Sequence, residues 1–173
     1  MKKFEMTSEF ITNVLGTKLF RIKALIEFGD VSAGELGGYI EKEENLAQDG
    51  NAWVYGNAKV YGDAKVCGDA KVYGNAEVYG NAEVCGNAEV YGNADYSTVK
   101  GFGRIFRTTT FFRTKDKAIG VNCGCFYGTL EEFRDKVRET HGDSKTAKEY
   151  LMLADLMEYK FSREMDVEEE VNQ

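Results

Sequence analysis

With 173 residues and a net charge of −7, the chain is long enough for one compact unit or two small ones and too acidic for general nucleic-acid binding. No apolar run reaches the length of a membrane span, and the opening Met-Lys-Lys-Phe-Glu-Met-Thr lacks the apolar core of a signal peptide. The expectation is therefore a protein of the host-cell cytoplasm, without membrane contact and with its four cysteines as thiols. In chain order, residues 1–38 show two β-like runs, Phe4–Leu15 and Lys18–Phe28, followed by Gly29-Asp30 and Gly37-Gly38. They are expected to cap what comes next.

Residues 39–95 carry an internal repeat of six residues. From Asn51 it reads Asn-Ala-Trp-Val-Tyr-Gly, Asn-Ala-Lys-Val-Tyr-Gly, Asp-Ala-Lys-Val-Cys-Gly, and so on to Gly92. Ala-x-Val-x alternates an apolar with a polar face, and Gly-Asn or Gly-Asp is a pair that turns the chain sharply. The pattern resembles the hexapeptide repeat of left-handed parallel β-helices, in which three hexads complete one coil of eighteen residues. That resemblance implies the fold class: mainly β, a left-handed parallel β-helix with an N-terminal β cap and a C-terminal β-hairpin plus two helices. At eighteen residues Lys59 meets Glu77, Lys65 meets Glu83 and Lys71 meets Glu89, opposite charges each time. Outward, Tyr55, Tyr73 and Tyr91 form one column, Tyr61 and Tyr79 a second, and Cys67 with Cys85 a third. The two cysteines fall within disulfide reach, but in the cytoplasm they are expected as a thiol pair. Ile40 and Leu46 keep the six-residue period while Leu46 and Val54 are eight apart, which predicts a bulge near Gln48–Asn51.

The repeat breaks at Asp95. Residues 96–163 read as a hairpin (Gly103–Phe112, a turn at Lys115-Asp116-Lys117, Ala118–Phe126) and two helices. Thr129 and Glu132 form a capping box for the first, which His141-Gly142 closes. The second runs to about Phe161 with Ala147, Tyr150, Leu151, Ala154 and Met157 inward. Residues 164–173 form an acidic tail, expected to be disordered.

Four blocks together, Arg21–Leu25, Leu36–Glu43, the Asn-Ala-x-Val-Tyr-Gly run and Cys123–Phe133, resemble hexapeptide-repeat proteins of bacteriophages, prophages and other bacterial mobile elements. The repeat also resembles that of sugar and amino-acid acyltransferases and gamma-class carbonic anhydrases. Those chemistries need histidines on the coils, as general base or zinc ligands, and the single histidine here, His141, lies outside the repeat. The chain is therefore expected to have no catalytic residues, metal or cofactor and not to be an enzyme.

The basic stretch 96–127 holds six Lys/Arg against one Asp. Within it Arg104, Arg107, Thr108, Thr109, Thr110 and Arg113 combine guanidinium groups with hydroxyls, as phosphate or carboxylate recognition requires. Alternation places Arg107, Thr109, Phe111 and Arg113 on one face of the strand. The candidate ligand residues are Arg104, Arg107, Thr109, Arg113 and His141; the alternative is a solvated strand face and a helix-end histidine. Cys123-Gly-Cys125 would put two thiols on one strand face, a metal or redox pair or two small apolar residues. The five column tyrosines are the candidate interface of a homo-oligomer, expected as a trimer. The leading functional expectation is a non-enzymatic phage or mobile-element protein that binds a host protein, such as a defence component of the CRISPR-effector kind. The alternatives are a sponge for an anionic nucleotide signal and an enzyme with an unrecognised site.

Overall fold

The computed structural model describes residues 2–103 and 105–170, with side chains to Ser162. Strands β1 (Phe4–Thr12) and β2 (Lys18–Ala24) pair antiparallel across a turn held by Asn13, whose Oδ1 accepts from the backbone N–H of Leu15 (3.0 Å) and Thr17 (2.9 Å). β2 pairs antiparallel with β3 (Leu36–Ile40), and β3 lies parallel to β5 (Lys59–Val60), which continues to β8 (Glu77–Val78). The cap thus extends one ladder of the repeat sideways. Gly37 and Gly38 allow the join, because a Cβ on Gly38 would stand 2.4 Å from the Ala58 carbonyl oxygen.

Two further ladders complete the repeat. β4 (Trp53–Val54), β7 (Lys71–Val72) and β10 (Glu89–Val90) stack in one; β6 (Lys65–Val66) and β9 (Glu83–Val84) form the other. All the pairings are parallel, and Val54↔Val72, Val60↔Val78 and Val66↔Val84 are eighteen residues apart, a β-helix-like arrangement. The repeat alanines and valines from Ala52 to Val90 are at most 1 % exposed and form one continuous core. Register and charge part company, however. Lys59 closes an ion pair with Glu77 (2.7 Å), but Lys71 turns to Asp30 of the cap (2.8 Å), and Lys65 faces Glu83 without closing a bond. Backbone ladders align the strands whether or not surface charges meet, since exposed pairs contribute little.

The predicted slip is present. Ile40↔Val60 and Leu46↔Val66 are twenty residues apart and Val54↔Val72 eighteen, so two additional residues lie between Leu46 and Val54. The loosened corner turns carbonyls inward, and Lys3 satisfies them: its Nζ donates to the oxygens of Asp49 (3.2 Å), Gly50 (3.4 Å) and Ala52 (2.9 Å). Burial pushes the Lys3 ammonium down to about 8, with Asp49 opposing. Between pH 8 and 10.5 the unfolded chain therefore holds a proton that the folded one has released, and stability gains from this group as pH rises. Denaturant titrations from pH 7.5 to 9.5 should show that gain, at most about 1.4 kcal/mol per pH unit, and Lys3→Met should flatten it. The same slope in wild type and variant would assign the rise elsewhere.

The C-terminal part holds four antiparallel strands, where a two-stranded hairpin is the sequence reading: β11 (Tyr96–Phe102), β12 (Arg107–Arg113), β13 (Ile119–Cys123) and β14 (Phe126–Thr129). Gly124, at φ +63°, breaks the expected strand Ala118–Phe126 in two. Consequently Cys123 is buried and Cys125 exposed, and they do not share a strand face. Helices α1 (Leu130–His141) and α2 (Lys145–Glu170) follow. The Thr129 hydroxyl accepts from Glu132 N–H (3.2 Å), and the Glu132 carboxylate accepts from Thr129 N–H (2.8 Å), the capping box as read. Arg134, 7 % exposed, pairs with Glu131 of its own helix and clamps α1 to α2 through Asp155 and Glu158. The second helix continues past Phe161 to Glu170, so most of the acidic segment is helical, as its Glu and Met content favours; 171–173 lie outside the described residues.

β12 belongs to two cores. Phe112 and Tyr96 pack with the valines and alanines of the repeat, while Phe111 packs with Phe133, Tyr150 and Phe161 of the helices. Thr110 Oγ1 accepts from Glu83 N–H (3.1 Å), and Lys115 N–H donates to the Asn87 carbonyl (3.0 Å). The sheet is thereby laid across the last turn of the repeat. Cys67 and Cys85 on neighbouring strands, expected as thiols, are joined as a disulfide, with Cα atoms 4.6 Å apart; parallel stacking alone brings them that close.

Candidate functional site

A cavity of about 470 Å³ opens between the start of β12, the β13–β14 turn and the two helices. Its walls are apolar: Phe126, Phe133, Val137 and Tyr150, with Phe126–Phe133 ring centroids 5.5 Å apart and Phe133–Tyr150 edge-on at 5.7 Å. His141, the last residue of α1, lies over the Tyr150 ring at 6.0 Å and reaches the same cavity, as do Arg107, Lys136, Cys123 and Cys125. Burial, reinforced by Cys123, pushes the Tyr150 phenol up to about 12, so it remains a donor at neutral pH.

Of the five candidate ligand residues, the structure brings two together, Arg107 and His141. Arg107 lies against Gly124, where a side-chain methyl would strike its Nη1. Arg21, Arg113, Arg134 and Arg138 each pair with a carboxylate. Arg107, alone among the described arginine side chains, makes no ion pair. Arg113 shares its strand face, as alternation requires, but six residues further on, roughly 20 Å away at strand rise. There it pairs with Asp95 (3.5 Å), donates to the Phe161 carbonyl and lies over the Phe161 ring. Thr109, 2 % exposed, donates to Cys123 Sγ (3.1 Å). Arg113 and Thr109 are thus engaged in contacts within the chain, away from the cavity; Arg104 lies outside the described residues. The described residues contain no group of three His, Cys, Asp or Glu placed to hold a metal.

A second cavity of about 350 Å³ adjoins the first, sharing Arg107 and Ile105. It is the more polar of the two, its lining including the side chains of Asn81, Glu83, Thr108 and Asn122. Tyr150, Lys136 and Glu83 escaped the sequence reading. The first reads as helix interior, the second as helix surface and the third as a register charge, and no local pattern marks any of them as facing a cavity.

The tyrosine columns stack as expected: Tyr55–Tyr73 at 4.6 Å, Tyr73–Tyr91 at 4.7 Å and Tyr61–Tyr79 at 5.4 Å. Tyr55 donates to Asp30 (2.9 Å), Tyr61 to Glu77 (3.1 Å) and Tyr91 to Glu89 (2.9 Å). Burial first, then Glu77, pushes Tyr61 up to about 12, and the Glu89 bond does the same for Tyr91. Tyr79 and Tyr91 remain more than half exposed.

Among the described residues no helix is long and apolar enough to cross a membrane. No family model matches the chain. It is similar to an uncharacterized acetyltransferase of Escherichia coli (strain K12), YdcK, at 42 % identity over 62 residues, which is 32 % of this chain and 19 % of that protein. The chain spans about a fifth of that relative's length. The likeness fits a hexapeptide-repeat protein, and since the relative bears an enzyme's name, the expectation that this chain is not an enzyme gains no support from it.

Proposed function

We propose that the protein binds a small organic anion in the cavity beside the start of β12, with the charge on Arg107 and the apolar part against Phe126, Phe133 and Tyr150. The observation that carries this reading is the Arg107 guanidinium, without a carboxylate partner among the described residues, at a cavity walled by aromatic rings. A guanidinium so placed offers a forked, charge-assisted site for phosphate or carboxylate, and the surrounding apolar wall strengthens it by excluding water. In this reading the repeat is a left-handed β-helix that acts as a rigid stalk, and the chain is a phage or mobile-element sponge for an anionic nucleotide signal. Calorimetry against cyclic and linear nucleotides tests it. Arg107→Ala should weaken binding at least about tenfold with an unchanged circular dichroism spectrum, whereas Arg113→Ala should lower stability by about 1–3 kcal/mol and leave binding in place. A wild-type protein that gives no heat with any of them removes the reading.

Tyr79 and Tyr91, each more than half exposed at the edges of the tyrosine columns, support self-association as a trimer; light scattering should then give the mass of three chains, and a monomer at micromolar concentration would return those faces to solvent. A second reading, binding of a host defence protein, is favoured by the exposed apolar side chains of Ile105 (62 % exposed) and Phe106 (67 % exposed), just before β12. Acyl transfer draws on the relative's name; the repeat offers no histidine as its base.

A further inference from the structure

We infer that the anion is a singly charged phosphodiester with two unlike arms, one apolar or aromatic and one bearing hydroxyl or amine donors; this deepens the anion-binding reading and rests on it. Arg107 and Ile105 line both cavities, so the guanidinium stands where the two meet. A ligand whose charge rests there extends one arm into about 470 Å³ of mainly aromatic and aliphatic wall and the other into about 350 Å³ whose lining carries Asn81, Glu83, Thr108 and Asn122. In the second cavity these four side chains have no hydrogen-bond or ion-pair partner among the described residues. Exposed or half-buried, these groups are open to the donors and acceptors of a ligand.

The charges in the two cavities decide between one phosphate and several. Among the described side chains Arg107 is the one cation lining the second cavity, and in the apolar cavity Lys136 makes a surface ion pair with Glu139 (2.8 Å). Glu83, faced by Lys65 across its ladder but without an ion pair among the described residues, places a carboxylate in the second cavity. It accepts bonds from hydroxyl or amine donors and repels a second phosphate, an effect that partial burial enhances. A diester brings one charge to one guanidinium; a triphosphate would bring several, some of them toward Glu83. Arg113, the other arginine on this face, is tied to Asp95 and adds nothing here.

The test is calorimetry of the full chain with adenylyl-adenosine (a dinucleoside monophosphate), bis(para-nitrophenyl) phosphate, ATP, inorganic phosphate and a short oligoadenylate. Adenylyl-adenosine should bind at least about tenfold more tightly than ATP or phosphate, and more tightly than the diester whose arms carry no donors. Arg107→Ala should lose at least about tenfold for every bound anion. Glu83→Gln should weaken adenylyl-adenosine and narrow its lead over ATP several-fold. If ATP binds as tightly as adenylyl-adenosine, or Glu83→Gln leaves their ratio unchanged, while Arg107→Ala still abolishes binding, the diester assignment is wrong and the anion site stands. Tighter binding of oligoadenylate than of the dinucleoside would overturn the free small molecule in favour of a nucleic-acid end. If none of the anions binds, both the assignment and the reading beneath it fall. Melting curves of each variant separate loss of binding from loss of fold.

Discussion

Replacing Val72 by aspartate is expected to unfold the repeat, with a loss of several kcal/mol that a denaturant titration would read. Val72 has no exposed surface and is the middle member of its ladder, paired on one side with Val54 and on the other with Val90. A carboxylate there would be buried between strands whose backbone groups are already bonded to one another, with neither water nor a cation to receive it. Lys71→Glu provides the comparison one position away. It gives up the ion pair with Asp30, whose own side chain is 56 % exposed, and faces Glu89 across the ladder. That change should cost about 1 kcal/mol or less. Equal losses from the two substitutions would mean that inside and outside have been assigned the wrong way round.

Phe112→Ala is the second large expected effect, about 3–5 kcal/mol. The ring is fully buried against the repeat core at the end of the stack, where further strands would otherwise be needed to cover the last valines. Truncation leaves a cavity that the neighbouring strands cannot fill, since their backbones are fixed by the ladders. Phe106→Ala, six residues earlier on the exposed connection, should change stability by less than about 0.5 kcal/mol, because that ring buries little. If Phe112→Ala is as mild, the sheet does not close the repeat.

The repeat was legible because period and burial coincide: Ala and Val recur every six residues, and those from Ala52 to Val90 are inside, while Ala94, where the repeat gives way to a turn, is exposed. The two-residue slip was legible for the same reason, as an interruption of a strict period. Lys3 was not, since nothing near residue 3 announces that its ammonium will meet carbonyls more than forty residues away. The C-terminal sheet was half legible. Strand alternation assigned Phe111 and Arg107 to one face and Thr110 to the other, but the break at Gly124 depends on a left-handed φ that neither Cys123 nor Cys125 reveals. For the candidate site, alternation put Arg107 and Arg113 together, and only tertiary structure separates them: Asp95 and Phe161 take one, and a cavity is left to the other. A ligand contact and a structural ion pair look alike in a one-dimensional pattern.

The three ladders also act as a ruler. Inserting or deleting eighteen residues in the repeat changes the distance between the N-terminal cap and the C-terminal sheet by one strand spacing, about 4.8 Å, and preserves their relative orientation. Inserting or deleting six transfers the last strand to a different ladder and turns the cavity to another side of the molecule. Variants with hexads added or removed should therefore be of two kinds, those that change reach and those that change aim. Only the first keeps Phe112 over the ladder positions it now covers.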